Sequence, residues 1–205
     1  DTGESGSWLM KNMEILKIDI DKISAVVISH DHWDHTGGLW ELFKKREGLL
    51  VYSCPNFSVE FKNKVKNLKG QIIEKEEMSE ISKDIFVTGE IAGAYKGEYM
   101  PEQALAVKSR EGISVITGCA HPGIVQVIEK VKSCFNNYPV YFVIGGFHLE
   151  DKDAQAVETI VNEFKRMSIK KAGPTHCSGL KAESIFKKLY QNDFIRIVAG
   201  MELEI

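Results

Sequence analysis

Ser29-His30-Asp31-His32-Trp33-Asp34-His35-Thr36-Gly37-Gly38-Leu39 decides the reading of this chain. Three imidazoles and two aspartates fall within the six residues 30–35, one residue after the apolar run Ala25-Val26-Val27-Ile28. That run is short, continuous and β-branched, as a strand buried on both faces should be. In an extended chain, residues two apart project to the same side, so His30 and His32 can share one ion. Asp34 and His35 belong to the following bend and point to a second ion close by. Imidazole and carboxylate are the donors that suit zinc and related divalent cations.

A single histidine is ordinarily a surface residue or a hydrogen-bonded core residue. The other histidines argue against that here, because they repeat the context of the hexapeptide. His121 follows the strand-like Ile113 to Thr117, His148 follows Val140 to Ile144, and His176 follows Lys170 to Ala172. The carboxyl ends of strands are where α/β folds build sites, since loops there vary while the sheet holds them in place.

The rest of the chain alternates in the same α/β manner. Helices are expected from Ser7 to Lys17, Leu39 to Lys45, Asn56 to Leu68, Gly123 to Cys134, Asp153 to Met167 and Leu180 to Tyr190. Strands are expected at Leu49–Ser53, Gln71–Glu74, Ile85–Thr88 and Leu105–Val107, and again at Phe194–Val198 and Met201–Ile205. Gly89 to Pro101 reads as a glycine-bearing loop. With 205 residues, 43% of them hydrophobic and 27% charged, the chain can bury a substantial core as a single domain over 1–205 or as two fused halves. The opening Asp1-Thr2-Gly3 reads as a strand end entering a turn, so preceding strands are expected outside this sequence.

Composition narrows the partners. A net charge of −3 gives no general drive toward nucleic acid or an anionic membrane. No run approaches the roughly twenty apolar residues of a membrane span. Cys54, Cys119, Cys134 and Cys177 show no C-x-x-C pairing, which fits free thiols in a reducing cytosol, and a cytoplasmic location is expected. Cys119 and Cys177 flank His121 and His176 closely enough to approach a metal, although a small buried residue beside a strand is the commoner role.

The hexapeptide meets in full the His-x-His-x-Asp-His signature of the metallo-β-lactamase superfamily, and Asp1-Thr2-Gly3 resembles the turn that commonly precedes it. Glu102-Gln103-Ala104-Leu105, Gly118-Cys119-Ala120-His121-Pro122-Gly123, Gly145-Gly146-Phe147-His148 and Thr175-His176-Cys177-Ser178-Gly179 resemble one branch of it. That branch contains proteins similar to the synthase that joins a dihydropterin to ribofuranosylaminobenzene phosphate. The resemblance implies an αββα sandwich without its first N-terminal strands. It also implies two divalent metal ions, zinc first, with iron or manganese as alternatives. By position, His30, His32 and His121 would hold one ion, and Asp34, His35 and His176 the other.

One departure stands out: the family's bridging aspartate is absent, and His148 occupies that region. His148 is therefore read either as a ligand in place of the carboxylate or as an acid–base group, with Asp34 as its catalytic companion orienting the nucleophile. An imidazole there leaves the pair more positive, which favours a small anionic substrate, phosphorylated or pterin-like. Glu102 and Gln103 are expected to face that substrate. The expected activity is hydrolysis or synthase-type displacement on such a molecule; the alternatives are a di-iron redox protein and a non-catalytic metal-binding protein. Against the first alternative, His32 stands where the superfamily's di-iron oxidoreductases typically carry a glutamate.

Overall fold

The computed structural model describes residues 1–136 and 138–204. The chain forms two compact units, Asp1–Glu77 and Met78–Ile205.

The first unit holds helix α1 (Gly6–Ile15), strand β1 (Ala25–Val27), the single turn α2 (Trp33–Thr36), α3 (Leu39–Lys45), β2 (Leu50–Ser53), α4 (Val59–Asn67) and β3 (Gln71–Glu74). Its three strands pair in parallel in the order β1-β2-β3. Parallel strands joined by helices bury both faces, and the core here is built from Val26, Ile28, Leu42, Phe43, Val51 and Phe61 among others. Capping explains where the helices begin. The Ser58 hydroxyl accepts the Phe61 N–H at 3.2 Å at the head of α4. In α1 the cap is Ser5, not the expected Ser7, and its hydroxyl accepts the Trp8 N–H at 3.4 Å.

The second unit begins with β4 (Ser79–Ser82), β5 (Ile85–Val87), β6 (Ala94–Tyr95), β7 (Glu98–Tyr99), β8 (Leu105–Lys108) and β9 (Ile113–Thr117). It continues with α5 (Ile124–Cys134), β10 (Val140–Gly146), α6 (Ala154–Arg166), β11 (Lys171–Thr175) and α7 (Gly179–Tyr190). The large sheet runs β11-β10-β9-β8-β5-β4. Its β11, β10 and β9 are parallel, and the pairs from β9 through β8 and β5 to β4 are antiparallel. Beneath it, Phe147, Phe164 and Phe186 pack with ring centroids 5.4–5.6 Å apart. All three are buried, each worth about 1.5–3 kcal/mol of burial.

Several expectations are corrected. Ser79–Ser82 is a strand that the sequence reading missed; its small and acidic residues carry little β signal, and its pairing with β5 supplies the order. Phe194–Val198 is not a strand: only Phe194 bridges to Ala172, and the Ile195 N–H donates to the Ala172 carbonyl at 2.9 Å. Met201–Glu204 has no strand structure, and Ile205 lies outside the described residues. The loop at Gly89–Pro101 contains the small hairpin β6–β7, turned by Lys96 and Gly97 with φ of 50° and 84°, as a two-residue hairpin turn demands.

Candidate metal centre

In the first unit the site grows from the end of β1. The Ile28 N–H still pairs with the Tyr52 carbonyl at 3.0 Å. After it the chain leaves the sheet, and Asp1 takes over as its anchor. The Asp1 carboxylate accepts the Ser29 N–H and the Ser29 hydroxyl, each at 2.7 Å. One of its oxygens also lies 2.7 Å from His35 Nδ1. Thr2 completes the clasp, its N–H and hydroxyl donating to the His35 carbonyl at 2.8 and 2.9 Å.

These contacts orient the rings. The Ser29 hydroxyl lies 2.9 Å from His30 Nδ1, so the Nε2 edge of the wholly buried His30 is turned toward His32, 3.0 Å from His32 Nδ1. Two nitrogens held by one tetrahedral zinc with bonds of about 2.0–2.1 Å stand about 3.3 Å apart. The observed separation fits a shared cation with little adjustment. His35, fixed through Nδ1 by Asp1, presents Nε2 on the side of Asp34, whose Oδ2 lies 3.5 Å away. A carboxylate on the far nitrogen of a histidine ligand is the usual outer support of a metal site.

Gly37 and Gly38 serve a purpose the sequence did not suggest. Both have ordinary helical φ, −58° and −71°, so no unusual turn requires them. A Cβ at Gly37 would sit 2.1 Å from the Glu4 carbonyl oxygen, and one at Gly38 2.1 Å from that of Thr2. The glycines admit the Asp1–Glu4 segment that carries the clasp.

In the second unit, register brings three histidines to one sheet edge. Thr117 of β9 pairs with Gly145 of β10, and Gly146 of β10 with Thr175 of β11. The three parallel strands therefore end level, and the loops bearing His121, His148 and His176 leave from adjacent positions. Ala120, His148 and His176 all have positive φ, 60°, 52° and 52°. That costs a residue with a side chain on the order of 1 kcal/mol each and is held only where surroundings impose it.

Glu102 imposes the first of these conformations, at Ala120. Its carboxylate, expected to face a substrate, is 2% exposed and accepts three backbone N–H groups, from Cys119, Ala120 and His121, each at 2.8 Å. It is a loop clamp. Gln103 beside it is 1% exposed, so it too is buried where a substrate-facing role was expected. The β6–β7 hairpin lies against the same loop: a Cβ at Gly93 would be 2.8 Å from the Pro122 nitrogen. Tyr95 packs its ring on His121 and His148, with centroids 5.1 and 5.7 Å away.

His121 and His148 are themselves 4.6 Å apart between ring centroids. His148 Nδ1 is buried without a hydrogen-bond partner among the described residues, an arrangement that suits a cation. Side-chain donor atoms of Cys119, His121 and His148 lie within 4.8 Å of one another, as do those of Cys119, His176 and Cys177. The Cys177 thiol, against the Cys119 thiol and then the His148 ring, is held down to about 4 despite burial. His148 is correspondingly raised, first by Cys177. Asp153 caps α6, its carboxylate accepting the Ala156 N–H at 2.8 Å, and Asp151 is exposed.

The sequence reading missed the clasp made by Asp1 and Ser29, the clamp made by Glu102, and the approach of Tyr95.

A mixed α/β fold with histidines at strand ends, grouped as metal ligands are, defines a candidate metal-binding site. The chain belongs to the metallo-beta-lactamase superfamily, whose family model matches residues 1–141. It is 30% identical to the 7,8-dihydropterin-6-methyl-4-(beta-D-ribofuranosyl)-aminobenzene-5'-phosphate synthase of Methanocaldococcus jannaschii, over 98% of this chain and 81% of that protein. Among solved structures it resembles Tm1679, a metal-dependent hydrolase of the beta-lactamase superfamily, with a TM-score of 0.82 and 30% identity, covering 100% of this chain and 87% of the other. The isothiocyanate hydrolase from Delia radicum gut bacteria shares the fold at a TM-score of 0.59 and 9% identity, over 90% of this chain and 77% of that one. No helix among the described residues is long and apolar enough to cross a membrane.

Proposed function

We propose that the protein is a metal-dependent enzyme that acts on a small anionic molecule, phosphorylated or of pterin type, with a pair of divalent cations, zinc in the first instance. In this reading, as the family resemblance implies, His30, His32 and His121 hold one cation and Asp34, His35 and His176 the other, and His148 serves as a further ligand or as an acid–base group. The observation that carries it is the pair of facing nitrogens on His30 and His32, 3.0 Å apart and fixed by Ser29. The two ring nitrogens are in hydrogen-bonding contact at that spacing, and a shared cation held by both would stand them at nearly the same separation.

Bound there, the ions supply Lewis-acid chemistry, activating water or polarising an electrophile and binding an anionic group. The chain's own part is to hold this arrangement rigid. Asp1 and Ser29 orient His35 and His30, Glu102 sets the loop of His121, and Asp34 is placed to orient a nucleophile through its carboxylate. His148, an imidazole where relatives of the superfamily supply a carboxylate, leaves the site more positive, which favours an anion. Similarity to the methanogen synthase supports condensation of a dihydropterin with ribofuranosylaminobenzene phosphate over simple hydrolysis. The Cys-bearing loops suit a reducing cytoplasm.

The experiment is to measure metal content by mass spectrometry and to offer the zinc-loaded protein the two pterin-pathway reactants beside a panel of phosphate esters. A condensation product, lost in His32→Ala with the fold unchanged by circular dichroism, is expected. Ester hydrolysis alone would move the protein to the hydrolase arm. Full activity in His32→Ala, or purified protein that binds no divalent metal, would sink the reading.

A further inference from the structure

Two sulfur atoms stand beside the histidines of the second unit without a role in the scheme above. Cys119 is 4% exposed, at the turn after β9, and Cys177 directly follows His176. Their sulfur atoms lie within 4.8 Å of each other, and Cys177 Sγ donates to the Cys119 carbonyl at 3.6 Å. Both are presented by fixed backbone. Glu102 takes the Cys119 N–H at 2.8 Å, and the Leu149 and Glu150 N–H groups donate to the Cys177 carbonyl at 3.2 and 3.3 Å. Space for the second sulfur exists because residue 146 is glycine: a Cβ there would lie 2.7 Å from Cys177 Sγ and 3.1 Å from Cys119 Cα.

We infer that Cys119, Cys177 and His176 form a sulfur-bearing metal site that takes a borderline or soft divalent cation, zinc or iron(II), and discriminates against magnesium, calcium and manganese. Two thiolates and an imidazole on a tetrahedral zinc, at about 2.3 and 2.0 Å, stand about 3.5–3.8 Å from one another. The donor atoms here already lie within 4.8 Å of one another, so closing on a cation needs side-chain movement only. Thiolate selects for softer metals, whereas oxygen-rich sites suit magnesium, calcium and manganese. The inference rests on the proposed function in one respect, since His176 is there assigned to the second cation; it adds sulfur to that cation's surroundings.

Cobalt(II) provides the readout, because sulfur ligation gives an intense charge-transfer absorption in the near ultraviolet that nitrogen and oxygen ligation does not. With exposed Cys134 replaced by serine, the cobalt-loaded protein should show this band. Cys119→Ser and Cys177→Ser should each weaken it, and the double variant should abolish it and lower zinc affinity at least tenfold while leaving manganese affinity within twofold. A second measurement needs no variant: zinc, but not manganese, should protect Cys119 and Cys177 from iodoacetamide, as mapped by peptide mass spectrometry. Cobalt bound without the band, a band that survives in the double variant, or equal alkylation with and without zinc overturns the sulfur site and leaves the histidine centre standing. Cobalt that does not bind at all overturns both.

Discussion

Glu102 Oε2 accepts the backbone N–H of His121 at 2.8 Å, and the other oxygen of the same carboxylate takes the two preceding N–H groups, those of Cys119 and Ala120. A buried charge is stable only when hydrogen-bonded, and three converging N–H dipoles meet that need while fixing the turn in which Ala120 has a φ of 60°. The loop carrying His121 therefore owes its shape to a side chain from another strand connection.

Removing that carboxylate should loosen both loop and site. Glu102→Ala strands three buried N–H groups, and with about 1–3 kcal/mol for each unsatisfied group a loss of roughly 3 kcal/mol or more is expected in urea unfolding. Metal affinity should fall with it. A variant of wild-type stability would show that the clamp contributes nothing.

Asp1 supports His35 and Ser29 without being a ligand in the proposed scheme. Asp1→Asn keeps the volume and weakens the charge-assisted contacts of 2.7 Å. Such outer supports typically matter 10–100-fold in metal affinity, and isothermal titration with zinc should show a loss in that range. Unchanged affinity would show that the Asp1 carboxylate does not hold the His35 ring for a metal.

Gly38→Ala tests why the glycines follow the hexapeptide. The added Cβ would meet the Thr2 carbonyl oxygen at 2.1 Å, a backbone atom that cannot rotate away. Overpacking of this kind costs roughly 3 kcal/mol, and displacement of Asp1–Glu4 should lower metal affinity as well. If thermal unfolding is unaffected, the close approach does not persist in solution.

Phe164→Ala addresses the core beneath the second unit's sheet and serves as a contrast. It empties the centre of the Phe147–Phe164–Phe186 cluster and should cost about 3–5 kcal/mol. Folded protein below its transition should still bind metal, because no donor atom belongs to the cluster. Loss of metal binding from fully folded variant would tie the site to this core directly.

Metal removal should itself destabilise. A cation bound only by the folded state, present at 100 times its dissociation constant, adds about 2.7 kcal/mol. Chelation by EDTA should lower the unfolding midpoint, and zinc should restore it. Identical midpoints would count against a bound metal.

Local pattern carried much of this. The hexapeptide, the apolar run before it and the regular recurrence of histidine after strand-like segments gave the fold class and the metal-ligand candidates, because hydrophobic periodicity and ligand chemistry are properties of short stretches. Boundaries of the long helices followed from their apolar spacing. Ser79–Ser82 was missed since its strand character comes from pairing with β5, and Phe194–Val198 was overread since apolar alternation does not guarantee a free edge to pair with.

The candidate ligands were thus legible in the chain, but the contacts that support them were not. That Asp1 reaches His35 and Ser29, that Glu102 turns inward to three N–H groups instead of outward to a substrate, and that Cys177 comes against Cys119 over a glycine are contacts between residues 17 to 58 positions apart. Such contacts depend on strand register and on which backbones can touch. Those are decided by packing across the whole unit, and no short window of sequence contains them.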